Sequence, residues 1–193
     1  MATKAQIDQY VKAHYSDAVK AGNIFNLEPF ALLAHAALES GYGTSYQARH
    51  KNAYFGVTAG NKPANKYWGG TTYTSPVSHL TFRVYDSSLD SFLDAAQLIS
   101  SHYLKSPLIG GDAVAYFTTI ANSKYISEAN GDNRQDYLNN CLSAVTACTQ
   151  SAKSQNLISI GSGSANEAGI STPGKILLTG IGISMVLKRL KNI

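Results

Sequence analysis

Glu39 stands at the end of an almost wholly apolar run, Ala31-Leu32-Leu33-Ala34-His35-Ala36-Ala37-Leu38, directly before Ser40-Gly41-Tyr42-Gly43. A carboxyl in that place borders a core, and desolvation disfavours its charged form and raises its pKa. A glutamic acid kept protonated near neutral pH can give its proton to a leaving oxygen, as cleavage of a glycosidic bond requires. Position alone leaves open, and by itself favours, a Glu39 that points into solvent from a helix end. His35 lies one turn earlier on the same helix face. Its order with the acid, His-x-x-x-Glu, is not the His-Glu-x-x-His of a zinc helix, so a partly buried, hydrogen-bonded histidine is expected rather than a ligand.

The other reactive side chains offer less. Cys141 and Cys148 are the only cysteines. On one helix their Cα atoms stand about 10 Å apart, too far for a disulfide, so they read as small buried hydrophobes. Two thiols and scattered histidines make a metal site unexpected, and nothing calls for a cofactor. Asp132 and Asp136 look like helix N-terminal acids. The chain carries 12 tyrosines and only 15% charged residues. Tyrosine-rich, weakly charged surfaces suit sugar ligands, although most of these rings are expected in or beside the core.

The elements that must position these groups are mostly helical. Thr3 with Gln6 forms a capping-box signal, and Ile7, Tyr10, Val11, His14, Tyr15 and Val19 recur at helical spacing up to Ala21-Gly22. A second helix starts near Glu28-Pro29, buries Phe30, Leu33, Ala34 and Leu38, and ends at Ser40-Gly41. From Gly43 to Pro76 the pattern is irregular. Within and after it, Thr71-Tyr73 and His79-Tyr85 read as two short strands around a turn at Ser75-Pro76, with Leu80, Phe82 and Val84 facing one way and Thr81, Arg83 and Tyr85 the other. Asp86 is the expected N-cap of a third helix carrying Leu89, Phe92, Leu93, Ala96 and Ile99 on one side. Further helices are expected over about 112–121 and 133–152, the last with Tyr137, Leu138, Cys141, Leu142, Val145 and Cys148 on its apolar stripe.

The net charge is +4, yet up to Ala152 there are 11 Lys/Arg and 11 Asp/Glu. The body is neutral and shows no nucleic-acid footprint. The excess belongs to the C-terminal part, with Lys153, Lys175, Lys188, Arg189 and Lys191 against Glu167 alone. The reading is therefore a domain over 1–152, a flexible Ser/Gly-rich linker over 153–174 and an apolar, basic tail helix over 175–193. The run Ile176 to Leu187 covers about 18 Å as a helix, against about 30 Å of hydrocarbon. It suits an interfacial helix, a short span with snorkelling lysines, contact with an assembly partner, or a helix docked on the body. Met1 to Tyr15 has no apolar stretch and no cleavage site of a secretory signal.

Several short motifs, in order, carry a resemblance. Ala36-Ala37-Leu38-Glu39-Ser40-Gly41-Tyr42-Gly43 resembles the A-x-L-E-S-G-[WY]-G catalytic-helix motif of glycoside hydrolase family 73, the glucosaminidases of flagellar peptidoglycan hydrolases and autolysins. Asn52-Ala53-Tyr54-Phe55-Gly56-Val57 resembles its N-x-F-G-[IV] segment, Tyr67-Trp68-Gly69-Gly70 its W-x-G stretch, and Phe82-Arg83-Val84-Tyr85, followed by Asp86-Ser87-Ser88-Leu89, its F-R-x-Y-x-S motif. Ser123-Lys124-Tyr125-Ile126-Ser127-Glu128 is a looser match to G-Y-A-[TS]-D. The set spans about 27–142. It implies an α+β, mostly α, lysozyme-like fold of two lobes with a small β-hairpin and a cleft between the lobes. It further implies hydrolysis of the N-acetylglucosaminyl-β-1,4-N-acetylmuramic acid bond of peptidoglycan, with Glu39 as general acid and Tyr125 near the reacting sugar. Asn52, Phe55, Gly56 and Trp68 match cleft-lining positions and Tyr73 lies in the hairpin stretch, all candidates for substrate binding; Phe55 equally suits a core.

One departure from the pattern matters. Many members carry a second acid in a T-T-E-Y-like hairpin stretch. Here that stretch is Thr71-Thr72-Tyr73-Thr74, and no Asp or Glu occurs between Glu39 and Asp86. A two-carboxylate mechanism needs a partner about 5–10 Å away. The substrate's acetamido group can serve as nucleophile instead, which is the preferred reading. Glu128 or Asp132 can fold back as the second acid, or the enzyme is weak. Two rivals stay open: a muramidase or lytic transglycosylase on the same scaffold, and an inactive glycan-binding or virion structural module. A wall-degrading enzyme without a signal needs another route to the wall, which points to a lysis system or a virion, with attachment to a membrane or virion through the tail.

Overall fold

The computed structural model of the chain describes residues 2–60, 62–124 and 133–158. Six helices and one hairpin are seen among them: α1 Lys4–Phe25, α2 Pro29–Ser40, α3 Tyr46–Lys51, β1 Thr72–Thr74, β2 Thr81–Arg83, α4 Ser88–His102, α5 Ala113–Ala121 and α6 Arg134–Ser154. The expected mostly helical architecture with one small hairpin is the one observed. The candidate residues Tyr125, Glu128 and Asp132, most of the linker and the tail lie outside the described residues. Among the described residues no helix is long and apolar enough to cross a membrane.

Local chemistry sets the helix ends. The capping box at α1 forms, with Thr3 Oγ1 accepting from the Gln6 amide and Gln6 Oε1 from the Thr3 amide. Gly22 does not stop this helix. A Cβ there would stand 2.7 Å from the Leu27 carbonyl oxygen and 3.1 Å from Pro29 Cγ, so glycine serves the close approach of α1 to the start of α2. The helix ends only where Asn26 turns left-handed, at φ 54°.

The second helix, α2, is the axle of the larger lobe. Ala31 through Ala37 are all buried, because α2 packs against α1, α4, α5 and α6. A helix apolar all round belongs inside a core rather than on it. On α6, Cys141 and Cys148 are free and buried, and burial pushes the Cys148 thiol up to about 12. The helix runs past the expected boundary at 152. Ser151 Oγ donates to Asp8 Oδ1, Gln155 Nε2 donates to the Asp8 carbonyl, and Leu157 and Ile158 still pack on the core.

The smaller lobe hangs on β2. It pairs antiparallel with β1, Tyr73 opposite Phe82, and on its other side bridges to Thr58, with Arg83 N–H donating to the Val57 carbonyl. Both faces of β2 are therefore covered: Phe82 is buried, and so are Arg83 and Tyr85 on the opposite face. A second, small cluster of Ala53, Ala59, Trp68 and Tyr85 forms beneath it. The cap of α4 is Ser87 rather than Asp86, since Ser87 Oγ reaches the Asp90 amide. The carbonyl of Asp86 accepts from Asn52 instead.

Candidate active site

Glu39 occupies the last turn of α2, and its side chain is only 7% exposed. The chain leaves the helix through an unusual turn. Gly41, Tyr42 and Gly43 are all left-handed, at φ 59°, 55° and 74°. Left-handed backbone costs a glycine little and an aromatic residue more, so Tyr42 must be held. Its ring lies edge-on to Tyr10 at 5.7 Å, and burial pushes its hydroxyl up to about 12. Ser40 fastens the turn: its Oγ donates to the Ala36 carbonyl and accepts from the Gly43 amide. Ser-Gly-Tyr-Gly is thus a device that stops α2 right after Glu39 and turns the chain into α3.

Behind Glu39 stands His35, 2% exposed. Its Nε2 is 3.7 Å from Glu39 Oε1, and its Nδ1 is 2.9 Å from the Tyr116 hydroxyl. Phe55, Tyr116 and Phe117 surround the imidazole edge-on, at 5.7 to 6.0 Å between ring centres. The hydrogen-bonded, buried histidine expected from the sequence is what stands here. Tyr116 carried no sequence signal beyond the apolar pattern of α5.

The remaining candidates divide by what they touch. Phe55 is buried between His35 and Phe92 and, with His35, forms part of the wall of a mainly apolar cavity of about 340 Å³. Glu39 is not among the described residues lining that cavity; it follows His35 by one turn of α2. Gly56 follows Phe55 in left-handed conformation, φ 59°. Asn52 caps α3 and donates through Nδ2 to the carbonyls of Tyr85 and Asp86, tying α3 to the exit of β2. Trp68 is 3% exposed. Its indole N–H donates to Thr71, and the Arg83 guanidinium covers the ring at 4.3 Å. The amide nitrogen of Asn52 and the ring of Trp68 are thereby engaged within the small lobe.

Tyr73 is half-buried on β1, its ring centre 5.5 Å from that of Tyr46 at a tilt of 39°, with Lys51 Nζ 5.3 Å from its ring centre. Tyr46 is 54% exposed and opens α3, directly beyond the left-handed turn. This two-ring platform joins hairpin to helix. Tyr46 was not singled out in the sequence, because α3 lies hidden in the irregular stretch.

The family model described as mannosyl-glycoprotein endo-beta-N-acetylglucosaminidase matches residues 15–162. The fold is similar to that of a peptidoglycan hydrolase from Sphingomonas sp. A1, at 22% identity and TM-score 0.59, covering 83% of this chain and 100% of that one. It is also similar to the glycoside hydrolase domain of FlgJ from Salmonella typhimurium, at 22% identity and TM-score 0.57 over 78% and 92% of the two chains. The catalytic domain of the autolysin Auto from Listeria monocytogenes matches at 20% identity and TM-score 0.53, over 77% and 89%. No curated protein matches the sequence.

Proposed function

Since the chain belongs to the glucosaminidase family and is a glycoside hydrolase, we propose that it cleaves the N-acetylglucosaminyl-β-1,4-N-acetylmuramic acid bond of peptidoglycan, with Glu39 as general acid. The observation that carries this reading is the near-enclosed carboxyl of Glu39 at the end of a buried helix, fixed by the left-handed turn beyond it. Peptidoglycan as substrate follows the proteins of this fold that are described as peptidoglycan hydrolases.

The hairpin supports a substrate-assisted route. Strands β1 and β2 carry Thr, Tyr, Phe and Arg but no carboxylate, and the buried Asp94 is engaged by Arg83. In this route the acetamido oxygen bonds to C1 of the glucosamine as the C1–O bond to muramic acid breaks. Glu39 gives its proton to the departing oxygen. Water then opens the cyclic intermediate at C1, and the Glu39 carboxylate takes the water's proton. Tyr125, by its motif position, is the polar partner of the acetamido group, with Glu128 or Asp132 as the second acid if the route uses two carboxylates. The Tyr46–Tyr73 pair at the hairpin is the sugar-binding surface, whereas Phe55, buried against His35 and Phe92, serves the core behind the acid.

A wall-acting role suits attachment to a membrane or virion through residues 175–193. The missing hairpin acid favours one second reading, a glycan-binding module without activity. Reducing-end release from purified peptidoglycan, measured for wild type and Glu39→Gln, separates the two. The expected result is new N-acetylglucosamine reducing ends from wild type and a rate lower by roughly 10²–10⁴-fold in the folded variant. Muramic or anhydromuramic ends would replace the bond assignment by a muramidase or transglycosylase. Wall binding with no release by wild type would leave the binding module.

A further inference from the structure

We propose that Arg49 and Lys51, beside the Tyr46–Tyr73 pair, bind the carboxylates of the peptide that muramic acid carries on its lactyl branch, while the two rings hold the sugar. The small lobe then selects peptide-bearing strands over bare glycan. The inference deepens the reading of peptidoglycan as substrate and rests on it.

The charges of the body are unevenly placed. Up to Ala152 the chain holds equal numbers of Lys/Arg and Asp/Glu, yet no acid lies between Ser40 and Tyr85. That stretch builds α3, the hairpin and the loops of the small lobe, and it carries Arg49, Lys51, Lys62, Lys66 and Arg83. The neutral body is therefore two parts of opposite sign. Arg83 is engaged by the buried Asp94. The other four reach the surface, with 49, 62 and 66 exposed and Lys51 half-buried. Among the described residues none of these four has a carboxylate at ion-pair distance. A surface of one sign draws anions to it.

At α3 these charges meet the rings. Tyr46, Arg49 and His50 are three and four residues apart and share a helix face, and the Tyr46 and His50 ring centres are 4.6 Å apart. Tyr73 adjoins Tyr46 from the hairpin, with Lys51 Nζ 5.3 Å from its ring centre. Asn52 ties the end of α3 to the carbonyls of Tyr85 and Asp86, so cations and rings belong to one frame. A neutral sugar offers these cations nothing. In a peptide-bearing strand the lactyl carboxyl is locked in an amide, and the free carboxylates belong to the peptide. A ring pair with an arginine fork and an ammonium beside it fits a sugar whose branch is acidic.

Binding in the full-length Glu39→Gln protein, where strands survive, tests this by calorimetric titration, with melting curves checking that each variant is folded. The ligand is uncrosslinked glycan strands with intact peptides, compared with the same strands after their carboxylates are converted to amides. Exposed ion pairs are individually weak. Arg49→Gln and Lys51→Gln should each raise the Kd for native strands by about two- to fivefold, and the pair by roughly five- to twentyfold. The loss should shrink in about 1 M salt, where screening acts within about 3 Å. On amidated strands parent and variants should bind alike. No loss on native strands, or an equal loss on amidated ones, overturns the proposal. An equal loss on strands stripped of peptide, which keep only the lactyl carboxylate, moves the contact to the sugar and overturns the assignment to the peptide. Tighter binding of a glycerol-phosphate polymer replaces the partner by a phosphodiester wall polymer. Charge-dependent strand binding by a wild type that releases no reducing ends leaves this inference standing and sinks the catalytic reading. Binding to neither form of strand removes both.

Discussion

Arg83 Nη1 donates to both carboxylate oxygens of Asp94, at 2.8 and 2.9 Å, although one residue belongs to β2 and the other to α4 and both are shut from solvent. The Tyr85 hydroxyl adds a bond to Oδ2 at 2.6 Å, and Asn65 Nδ2 one to Oδ1 at 2.8 Å. Through Oδ1, Asn65 also accepts the amides of Tyr67 and Trp68. One carboxylate on a helix of the large lobe therefore gathers the hairpin, the 65–68 segment and the Arg83–Trp68 stack. The small lobe is held to the large one by this polar pin beside the apolar packing of Phe55, Val57 and Tyr67 on the main core.

Removing half of that pin should be severe. Asp94→Asn leaves the Arg83 charge buried without its counter-ion, and a loss of about 3–5 kcal/mol in unfolding free energy is expected. Replacing both partners, as Arg83→Met with Asp94→Leu, should cost less than the single change. Denaturant unfolding of the three proteins checks this, and a single variant within about 1 kcal/mol of wild type would deny the pin its role.

Gly22→Ala tests the seam between α1 and α2. The backbone of Gly22 is helical, so alanine gains in propensity, yet its Cβ would stand 2.7 Å from a backbone oxygen that cannot rotate away. Overpacking should win, with a net loss of about 1–3 kcal/mol in thermal or chemical unfolding.

These two sites also mark what a sequence can and cannot disclose. The start of α1 and both ends of α2 were legible because caps are local chemistry: Thr3 with Gln6, Pro29 at the first turn, Gly41 past the last; the end of α1 was not, since Gly22 reads as a stop and the helix runs on to Phe25. Glu39 was marked by its motif, since position alone favoured a carboxyl facing solvent, whereas the fold encloses the side chain. Arg83 and Asp94 were not legible as a pair, since each looks like an ordinary polar residue in its own element and the pair exists only after β2 meets α4. The short helix α3 has six residues and no apolar period, so it read as part of the irregular stretch. Tyr116 meets His35 from 81 positions away, a contact no local pattern encodes.

Asp17 gives the fold an acid-sensitive contact. Burial pushes its carboxyl up, but a 2.7 Å bond from Ser88 Oγ and the nearby His14 and Lys20 outweigh that and hold it below the usual aspartate value. His14 Nδ1 stands 3.8 Å away, beyond hydrogen-bond distance. A lowered carboxyl stabilises the folded state above the unfolded pKa of about 3.9, and the contribution fades as pH falls through the folded value. Ser88→Ala should therefore be less stable than wild type at pH 7, with the gap closing below about pH 4. Melting temperatures measured across that range decide it, and a gap independent of pH would assign the loss to packing alone.

The platform of Tyr46 and Tyr73 yields the prediction closest to the substrate. Two adjoining, partly exposed rings on the hairpin and on α3 offer pyranose faces an apolar surface, and Lys51 over Tyr73 leaves a cation beside it for the acidic groups of wall polymers. A binding role means that truncation weakens the ground state and the transition state alike, which appears in KM with kcat kept. Aromatic contacts of this kind contribute about 0.5–1.5 kcal/mol. Tyr73→Ala and Tyr46→Ala should each raise KM for soluble peptidoglycan fragments by roughly two- to tenfold. Their double variant should show less than the product of the two effects, because each ring supports the other. A fall in kcat at constant KM would instead place Tyr73 with the group that holds Glu39, and an unmoved KM in both variants would remove the platform from the binding surface.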